Sequence, residues 1–387
     1  MFIPHQQTDQ IEYYQRMLSL FGSLTRLFSE SQSPFIEYRT AENLFCRAFD
    51  AKNLSRADVT ADAAKERLGI GIKTFLDKNG NTFEKIAEFN DASPLYRDLS
   101  DLEKIRAISK LRNQRIEFTK RAYGIDDLIY HCVTRADGKI YVYECGLHSI
   151  DMDRVRLIAT SKSSLDFSDG IEDYRFSRSK STLYKRFSRK NSLLEIPVEI
   201  LPDPYSALEE LLSDSPITMR PVEVGQPKLT GLEDRIVSSI YLPLYKSRGD
   251  VREVAEKSGL NQWNAGGRER DCDEVYIPIP SWIHRRFPDF FPPRDKPFKI
   301  TLPDGKDLSA KVCQQGSKAL MSNPNKDLGK WLLRDVLDLR KRQLLTYEML
   351  ESIGIDSVLI DKLDDGTYQI NFSRVDSFEE FKLGLNE

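Results

Sequence analysis

The sequence predicts an α+β protein of two domains, an N-terminal mixed α/β domain and a C-terminal domain built like a small β-barrel. Three observations predict this. The 387 residues exceed one average domain. In the first half, apolar residues recur at helical spacing between short strand-like runs. The last third is rich in strands and turns. We therefore place the domains at residues 1–215 and 231–387, joined by a Pro-rich linker at 216–230.

The N-terminal domain opens with two predicted helices. Residues 11–28 carry an apolar stripe at helical spacing, and a second helix is predicted at 40–49. IGIKTFL and KIAEFN are typical of strands, and the turn DKNGN separates them. Residues 99–123 are charged and helical in pattern; their Arg112 either flanks a nucleic acid or belongs to a solvated helix face. LIYHCVT and KIYVYECGL, separated by ADG, predict a β-hairpin.

The C-terminal domain begins with a predicted helix over residues 231–247, GLEDRIVSSIYLPLYKS. Strands follow at VYIPIP, PFKITLPDG, LSAKVCQ, SVLIDKL and DGTYQINF. One further helix, LGKWLLRDVL, interrupts them, and we assign its Trp331, Leu332 and Leu333 to the core. This order predicts a small barrel with helices at its openings.

The charge pattern leaves nucleic-acid binding open. Lys+Arg (57) nearly balances Asp+Glu (60), so the net charge of −3 excludes a uniformly basic, histone-like protein. A local basic surface is sufficient for phosphate contact. Residues 174–190 hold seven basic residues and no acid, with aromatic residues between them. We expect phosphate contact there; the alternative is a solvated helix face.

Several classes of protein are excluded by missing motifs. No run of eighteen apolar residues occurs, so we expect no membrane partner, and the N-terminus lacks a secretory signal pattern. Five scattered cysteines without a CxxC pair indicate reduced thiols and a cytoplasmic location. The four histidines match neither a phospholipase-D-type nuclease nor a zinc hydrolase.

Four long segments of the last third resemble a known family. They are LNQWNAGGRERDCDEVYIPIP (260–280), FPDFFPPRDKPFKITLPDG (287–305), AKVCQQGSKALMSNPNKDLGKWLLRDVL (310–337) and LTYEMLESIGIDSVLI (345–360). They resemble the DNA-binding pseudobarrel of type II restriction endonucleases of the EcoRII and BfiI type, which is related to plant transcription-factor domains. The resemblance implies a β-pseudobarrel with two arms that grip the major groove. The first arm is WNAGGRERD (263–271) and the second is QQGSKALMSNPN (314–325).

The side chains of these two arms suit base recognition. Arginine pairs with guanine, asparagine and glutamine pair with adenine, and a carboxylate accepts from cytosine. Lysine and serine are natural phosphate ligands. Without the resemblance, the same groups are explained as solvated turns. The residues assigned to DNA are Asn264, Arg268, Arg270, Asp271, Gln314, Lys318, Ser322, Asn323 and Asn325.

A short block of the N-terminal domain, DVTADAAKERLGIGIKTFL, resembles the PD-(D/E)xK metal nucleases in part. The resemblance implies Asp62 as a ligand of Mg²⁺, Lys73 as the lysine that activates water, and Glu42 as an additional acid on the preceding helix. Gly71 stands where the family has its second acid, and Glu88 is our candidate for a migrated second metal ligand. Asp58 competes with Asp62. The structural alternative makes Asp62 a helix cap and Lys73 an ordinary strand-end lysine.

Two functions follow from these features. The first is a type II restriction endonuclease that hydrolyses double-stranded DNA with Mg²⁺, and cutting of both strands favours a homodimer. The second is a DNA-binding regulator without catalysis, whose N-terminal part serves oligomerisation. The missing acid at Gly71 keeps the second function open.

Overall fold

The computed structural model describes residues 1–55, 59–213, 235–249 and 251–385, and the predicted linker at 216–230 lies outside these ranges. The chain divides into two compact units. The first contains the described residues of 1–55, 59–112 and 125–213, and the second contains those of 113–124 and 235–385. All five cysteines are free thiols.

The first unit contains both predicted N-terminal helices, which are confirmed. The second of them is capped by the Glu37 side chain, which accepts from the Thr40 N–H, and it ends at the left-handed Asp50. Helices of this unit are α1 (Thr8–Ser23), α2 (Tyr38–Phe49), α3 (Asp101–Tyr123, which continues into the second unit) and α4 (Pro204–Ser213). Its strands are β1 (Lys52–Asn53), β2 (Ala63–Lys65), β3 (Leu68–Leu76), β4 (Asn81–Glu88), β5 (Asp127–Ala136), β6 (Lys139–Gly146), β7 (Arg156–Thr160), β8 (Ser164–Ser168), β9 (Asp173–Ser177), β10 (Thr182–Ser188) and β11 (Leu194–Pro197).

Six strands form the central sheet of this unit, in the order β1-β2-β3-β5-β6-β11. Strand β3 pairs antiparallel with β2 and parallel with β5, and the predicted hairpin is confirmed as β5 and β6. One face of the sheet packs against α1 and α2, in a core that includes Leu18, Phe45, Ile70, Val133 and Val142. This burial orients α2, and therefore Glu42, towards the sheet.

The other face of the central sheet packs against a second sheet, ordered β4-β10-β9-β8-β7. The Phe187 ring lies 5.6 Å from Phe75 and 5.0 Å from Tyr130, centre to centre. The basic segment 174–190 forms the hairpin of β9 and β10, so a solvated helix face is the wrong description. In β9 buried aromatic side chains alternate with Arg175, which is the period of a strand, and in β10 Lys185 lies on the buried face with Leu183 and Phe187.

A buried chain of hydrogen bonds fixes the N-terminus to β6. The Tyr14 hydroxyl lies 3.0 Å from His131 Nε2, and His131 Nδ1 lies 3.2 Å from Glu144 Oε1. Glu144 also accepts from the N–H groups of Phe2 and Ile3, at 2.6 and 3.1 Å. Burial alone would raise the pKa of Glu144, but His131 and these two N–H groups lower it. Glu144 is therefore a structural residue.

The second unit is built around one curved sheet. Its strands are β12 (Ile236–Pro243), β13 (Lys246–Arg248), β14 (Val251–Glu253), β15 (Ile277–Pro278), β16 (Phe298–Thr301), β17 (Asp307–Cys313), β18 (Ala319–Ser322), β19 (Ile355–Leu363) and β20 (Tyr368–Arg374). Its helices are α5 (Ser281–Arg286), α6 (Asp327–Gly329), α7 (Tyr347–Ile353) and α8 (Ser377–Gly384). Seven strands, ordered β12-β19-β20-β16-β17-β18-β15, form a nearly closed barrel in which the two end strands approach each other.

The helix predicted over residues 231–247 is wrong where the structure describes it. Residues 236–243 form β12, which pairs antiparallel with β19 along its length. Ile240 and Leu242 point into the core while the residues between them are partly exposed. The β-branched and aromatic residues of this stretch favour a strand, and β19 supplies its hydrogen bonds.

The predicted helix LGKWLLRDVL is present in altered form. The three-residue α6 leads into a π-helix, Lys330–Val336. Trp331, Leu332 and Leu333 are buried, which confirms their assignment to the core. Within the described ranges, none of the helices combines the length and hydropathy needed to cross a bilayer.

We expect Glu144→Ala to destabilise the first unit strongly. It leaves His131 and two backbone N–H groups without an acceptor, at about 1–3 kcal/mol for each buried group left unsatisfied. Urea unfolding measures the change. The control is Glu195→Ala on β11, whose carboxylate is exposed and pairs with Lys139, and which should change the unfolding free energy by less than about 1 kcal/mol. Equal midpoints for the two variants would contradict the role of Glu144.

Candidate functional site

The carboxylate of Asp62 is held by the backbone of β3. The Asp62 N–H donates to the Ile70 carbonyl at 2.9 Å, which extends the pairing of β2 with β3. Its Oδ2 accepts from the Ile72 N–H at 2.7 Å. Asp62 is partly exposed, so the carboxylate is both fixed and accessible. It does not cap a helix, because β2 follows it.

Glu42 is the acid that the structure brings near Asp62. It lies on the inner face of α2, almost fully buried, and its Oε2 accepts from Arg39 Nη1 at 3.0 Å. Burial, and next the negative charge of Asp62, raise the pKa of Glu42 above its usual range. Both carboxylates also act on a shared neighbour: burial, together with the charges of Glu42 and Asp62, raises the pKa of Cys46 to about 12. The two acids therefore form one electrostatic cluster.

The packing around Gly71 explains why no acid stands there. A Cβ at this position would lie 3.1 Å from Cδ1 of Tyr130 and 3.2 Å from Cδ1 of Leu147. The space that an acid would occupy is filled by these two side chains. A carboxylate on this face of β3 would displace the contact between the two sheets.

Lys73 and Glu88 occupy different surroundings. Lys73 lies on β3, directly after the residue whose N–H binds Asp62, and it is half-buried. Burial raises the pKa of Glu84, and Lys73 is among the cations that oppose this rise. Glu88 ends β4 in the other sheet, where its carboxylate bonds to Lys85 and Asn90. The structure thus groups Asp62 with Glu42 and places Glu88 in the other sheet. Asp58 lies outside the described residues.

The first arm of the second unit, 263–271, is a largely exposed segment that the side chain of Arg270 stabilises from within. Arg270 is mostly buried and donates to the carbonyls of Ala265 and Gly266, at 2.7 and 3.0 Å. Arg268 is 55% exposed and forms an ion pair with Glu274. Arg270 thus shapes the loop, while Arg268 presents its guanidinium at the surface. Asn264 and Asp271 are also exposed.

Strand β18 runs through the second arm, 314–325, and separates its polar residues into two clusters. Gln314 and Lys318 lie in the turn before β18, and Asn323 and Asn325 follow it. The pairing of β18 with β15 sets the first arm at the end that carries Asn323 and Asn325. Ser322 is fully buried, and its hydroxyl accepts from the Leu328 N–H at 2.8 Å. It therefore fixes the start of α6 instead of facing a phosphate.

The cations of segment 174–190 are largely neutralised by acids from other parts of the chain. Five of its seven basic residues form ion pairs. The partners are Asp166 for Arg175, Asp101 for Arg178, Glu172 for Lys185, Asp173 for Arg186 and Asp77 for Arg189. The phosphate contact predicted for this segment is thereby weakened, since most of its cations already have a neighbouring carboxylate.

A comparison with protein families identifies the curved sheet. Residues 238–364 match the NgoFVII C-terminal B3-like DNA-binding domain. This domain comes from a restriction-enzyme family, and the match covers about a third of the 387 residues. It includes both arms and begins within β12, earlier than the resemblance found in the sequence. The prediction of a restriction-enzyme DNA-binding domain is confirmed for this part of the chain. No curated protein matches the chain.

One group of polar residues in the first unit escaped sequence reasoning. A cleft between the two sheets is lined by Arg112, Tyr130, Asp169, Glu172 and Lys185, among others. They come from α3, β5, the turn before β9, and β10. The only signals in the sequence were the positive charges of Arg112 and Lys185, and their meeting depends on the packing of two sheets.

We expect Glu42→Gln to remove a pH dependence of stability. The raised pKa means that ionisation of Glu42 costs more in the folded state, so the free energy of unfolding falls as pH rises through that pKa. The variant lacks this fall and is more stable at neutral pH, since the lost ion pair with half-exposed Arg39 contributes little. Urea unfolding across the acidic to neutral range measures it. Exposed Glu12→Gln on α1 should follow the wild-type curve; a Glu42→Gln curve parallel to wild type would refute the assignment.

Proposed function

We propose that this chain is a type II restriction endonuclease that hydrolyses phosphodiester bonds of double-stranded DNA at a specific sequence, with Mg²⁺. The observation that carries the proposal is the match of residues 238–364 to a restriction-enzyme DNA-binding domain. The carboxylate cluster in the first unit supports the catalytic half. Cleavage of both strands by a pair of equivalent sites favours a homodimer.

Glu42 and Asp62 fit a divalent cation. The negative charge of Asp62 raises the cost of ionising Glu42, and a bound dication would relieve that repulsion. Asp62 remains partly exposed, and the Ile72 N–H holds its Oδ2 in place. When bound, Mg²⁺ supplies positive charge that polarises the scissile phosphate. The proposal replaces Glu88 with Glu42 as the second metal ligand, because Glu88 belongs to the other sheet.

Lys73 is the residue we assign to orienting the attacking water. It follows Ile72 on β3, so the strand that fixes Asp62 also fixes the base of Lys73. An ammonium group near the reacting phosphate stabilises the charge that develops during hydrolysis. Arg39 holds Glu42 in place from the exposed side of α2.

The accessible polar residues of the two arms are assigned to DNA contact, Lys318 to a phosphate and the others to the bases. A good two-bond contact contributes about 1–3 kcal/mol of discrimination against the wrong base. Arg270 and Ser322 are assigned to shaping the arms, since their polar groups are engaged inside the protein. The residues left for direct contact are Asn264, Arg268, Asp271, Gln314, Lys318, Asn323 and Asn325.

Plasmid digestion tests the catalytic half. We expect the wild type to give discrete fragments with Mg²⁺, and we expect Asp62→Ala, Glu42→Ala and Lys73→Ala to lose cleavage by at least about a hundredfold, the usual contribution of one group in such a site. Gel-shift binding of the same DNA should persist in all three variants, because the second unit is unchanged.

Glu88→Ala is the matched control, and we expect it to cut normally. Loss of cleavage in Glu88→Ala with activity kept in Glu42→Ala would restore Glu88 as the second metal ligand. Sequence-specific binding by the wild type without cleavage under any divalent metal ion would instead establish a non-catalytic DNA-binding regulator.

Competition binding tests the reading of bases. We expect Arg268→Ala to weaken binding to the cognate site by about 1–3 kcal/mol more than binding to random DNA. Arg294→Ala serves as a control, since Arg294 is an exposed cation of the same unit that pairs with Asp295. An equal loss of Arg268→Ala on cognate and random DNA would make this residue a phosphate contact.

A further inference from the structure

The cleft between the two sheets of the first unit contains a buried cation, Arg112, that forms no ion pair with a described residue. Arg112 is 3% exposed. Its Nη2 donates to the Tyr130 hydroxyl at 2.8 Å and its Nη1 donates to the Thr60 hydroxyl at 3.2 Å. Among the described residues, no carboxylate forms an ion pair with it. A buried charge that lacks an opposite charge is costly, so Arg112 is poised for an anion.

The acids that line the cleft are already engaged. Glu172 Oε1 lies 3.0 Å from the Lys185 ammonium. Asp169 accepts from the N–H groups of Ile171 and Glu172, at 3.0 and 2.8 Å, and from the Asp151 N–H at 3.2 Å. Its Oδ2 also lies 3.5 Å from the Tyr174 hydroxyl. Neither acid forms a hydrogen bond with Arg112, so the guanidinium is left to pair with an anionic ligand.

Two further donors line the same cleft. Tyr130 accepts from Arg112, and its own hydroxyl hydrogen has no acceptor in the part of the chain that the structure describes. Burial raises the pKa of Tyr130 to about 12, so this hydroxyl stays protonated at neutral pH. Lys185 is 4% exposed and adds a second cation. The cleft is open to solvent, and its empty space of about 350 Å³ includes part of that solvent.

We propose that this cleft is a phosphate-binding site, in which Arg112, Lys185 and the Tyr130 hydroxyl hold the oxygens of a phosphate group. Arginine and lysine are the side chains that recognise phosphate, and a guanidinium offers two parallel donors to its oxygens. The phosphate is that of a nucleotide or the free inorganic ion. The site is separate from the carboxylate cluster, since neither Glu42 nor Asp62 lines the cleft.

Isothermal titration calorimetry of the full chain tests the proposal. The probes are inorganic phosphate, a deoxynucleoside 5′-monophosphate, the matching deoxynucleoside, and acetate at equal ionic strength. We expect phosphate or the monophosphate to bind, and Arg112→Gln and Lys185→Met to weaken that binding at least about tenfold, the effect of losing one charged hydrogen bond.

Arg186→Met is the matched control. Arg186 is the next residue on β10, points to the opposite side of the sheet, and pairs with Asp173. The substitution removes one positive charge and should leave the affinity for phosphate unchanged. Asp62→Ala should also bind phosphate normally, so a failure of the nuclease proposal does not affect this result.

Because Arg112 and Lys185 are buried, a second pair of variants protects the test against misfolding. Ile171 lines the mouth of the cleft and is 62% exposed. Ile171→Glu should weaken phosphate binding and Ile171→Lys should strengthen it, whereas Ile158→Glu on exposed β7 should have no effect.

The outcomes separate the ligands. Binding of the monophosphate alone makes a nucleotide the source, and equal binding of inorganic phosphate makes the free ion sufficient; both support the site if Arg112→Gln or Ile171→Glu weakens them. Absence of binding by either phosphate overturns the proposal. So does binding that none of these variants changes, or acetate binding as tight as that of phosphate.

Discussion

The first unit depends on strand β3 being buried on both faces and paired along both edges. Ile70 and Ile72 belong to the core that includes the helices, while Gly69 and Gly71 lie on the opposite face of the strand. A Cβ at Gly69 would lie 2.4 Å from Cδ2 of Leu128, so this face tolerates no larger residue without a shift. The same strand offers the Ile72 N–H to Asp62 just beyond the last pair of β2. Packing therefore excludes a carboxylate from this face of β3. The acid that lies near Asp62 is Glu42, and it comes from α2.

Local patterns predicted much of the fold. The helices at the N-terminus, the hairpin of β5 and β6, and the buried Trp331 followed from periodicity and turn residues, which act over a few residues. The helix expected over 231–247 failed because β19, more than a hundred residues later, supplies the hydrogen bonds that make this stretch a strand. Pairing over such a distance leaves no local signal.

The candidate sites show the same division. Asp62, Glu42 and the polar arms could be found from residue type and resemblance. The proximity of Glu42 to Asp62 could not be predicted, because it depends on how α2 packs against the sheet. Segment 174–190 is free of acids along the sequence, yet in the fold its cations pair with acids outside it, such as Asp166 and Asp77. A run of like charges along the sequence does not by itself predict a charged surface, because the surface potential depends on all charges that lie nearby in space.

The short length of β18 has a consequence for the second unit. Four residues of extended chain measure about 13 Å. The major groove of B-form DNA is about 12 Å wide. Lys318 and Asn323, which flank the strand directly, are therefore held apart by a rigid element of the barrel, at a distance of the same order as that width.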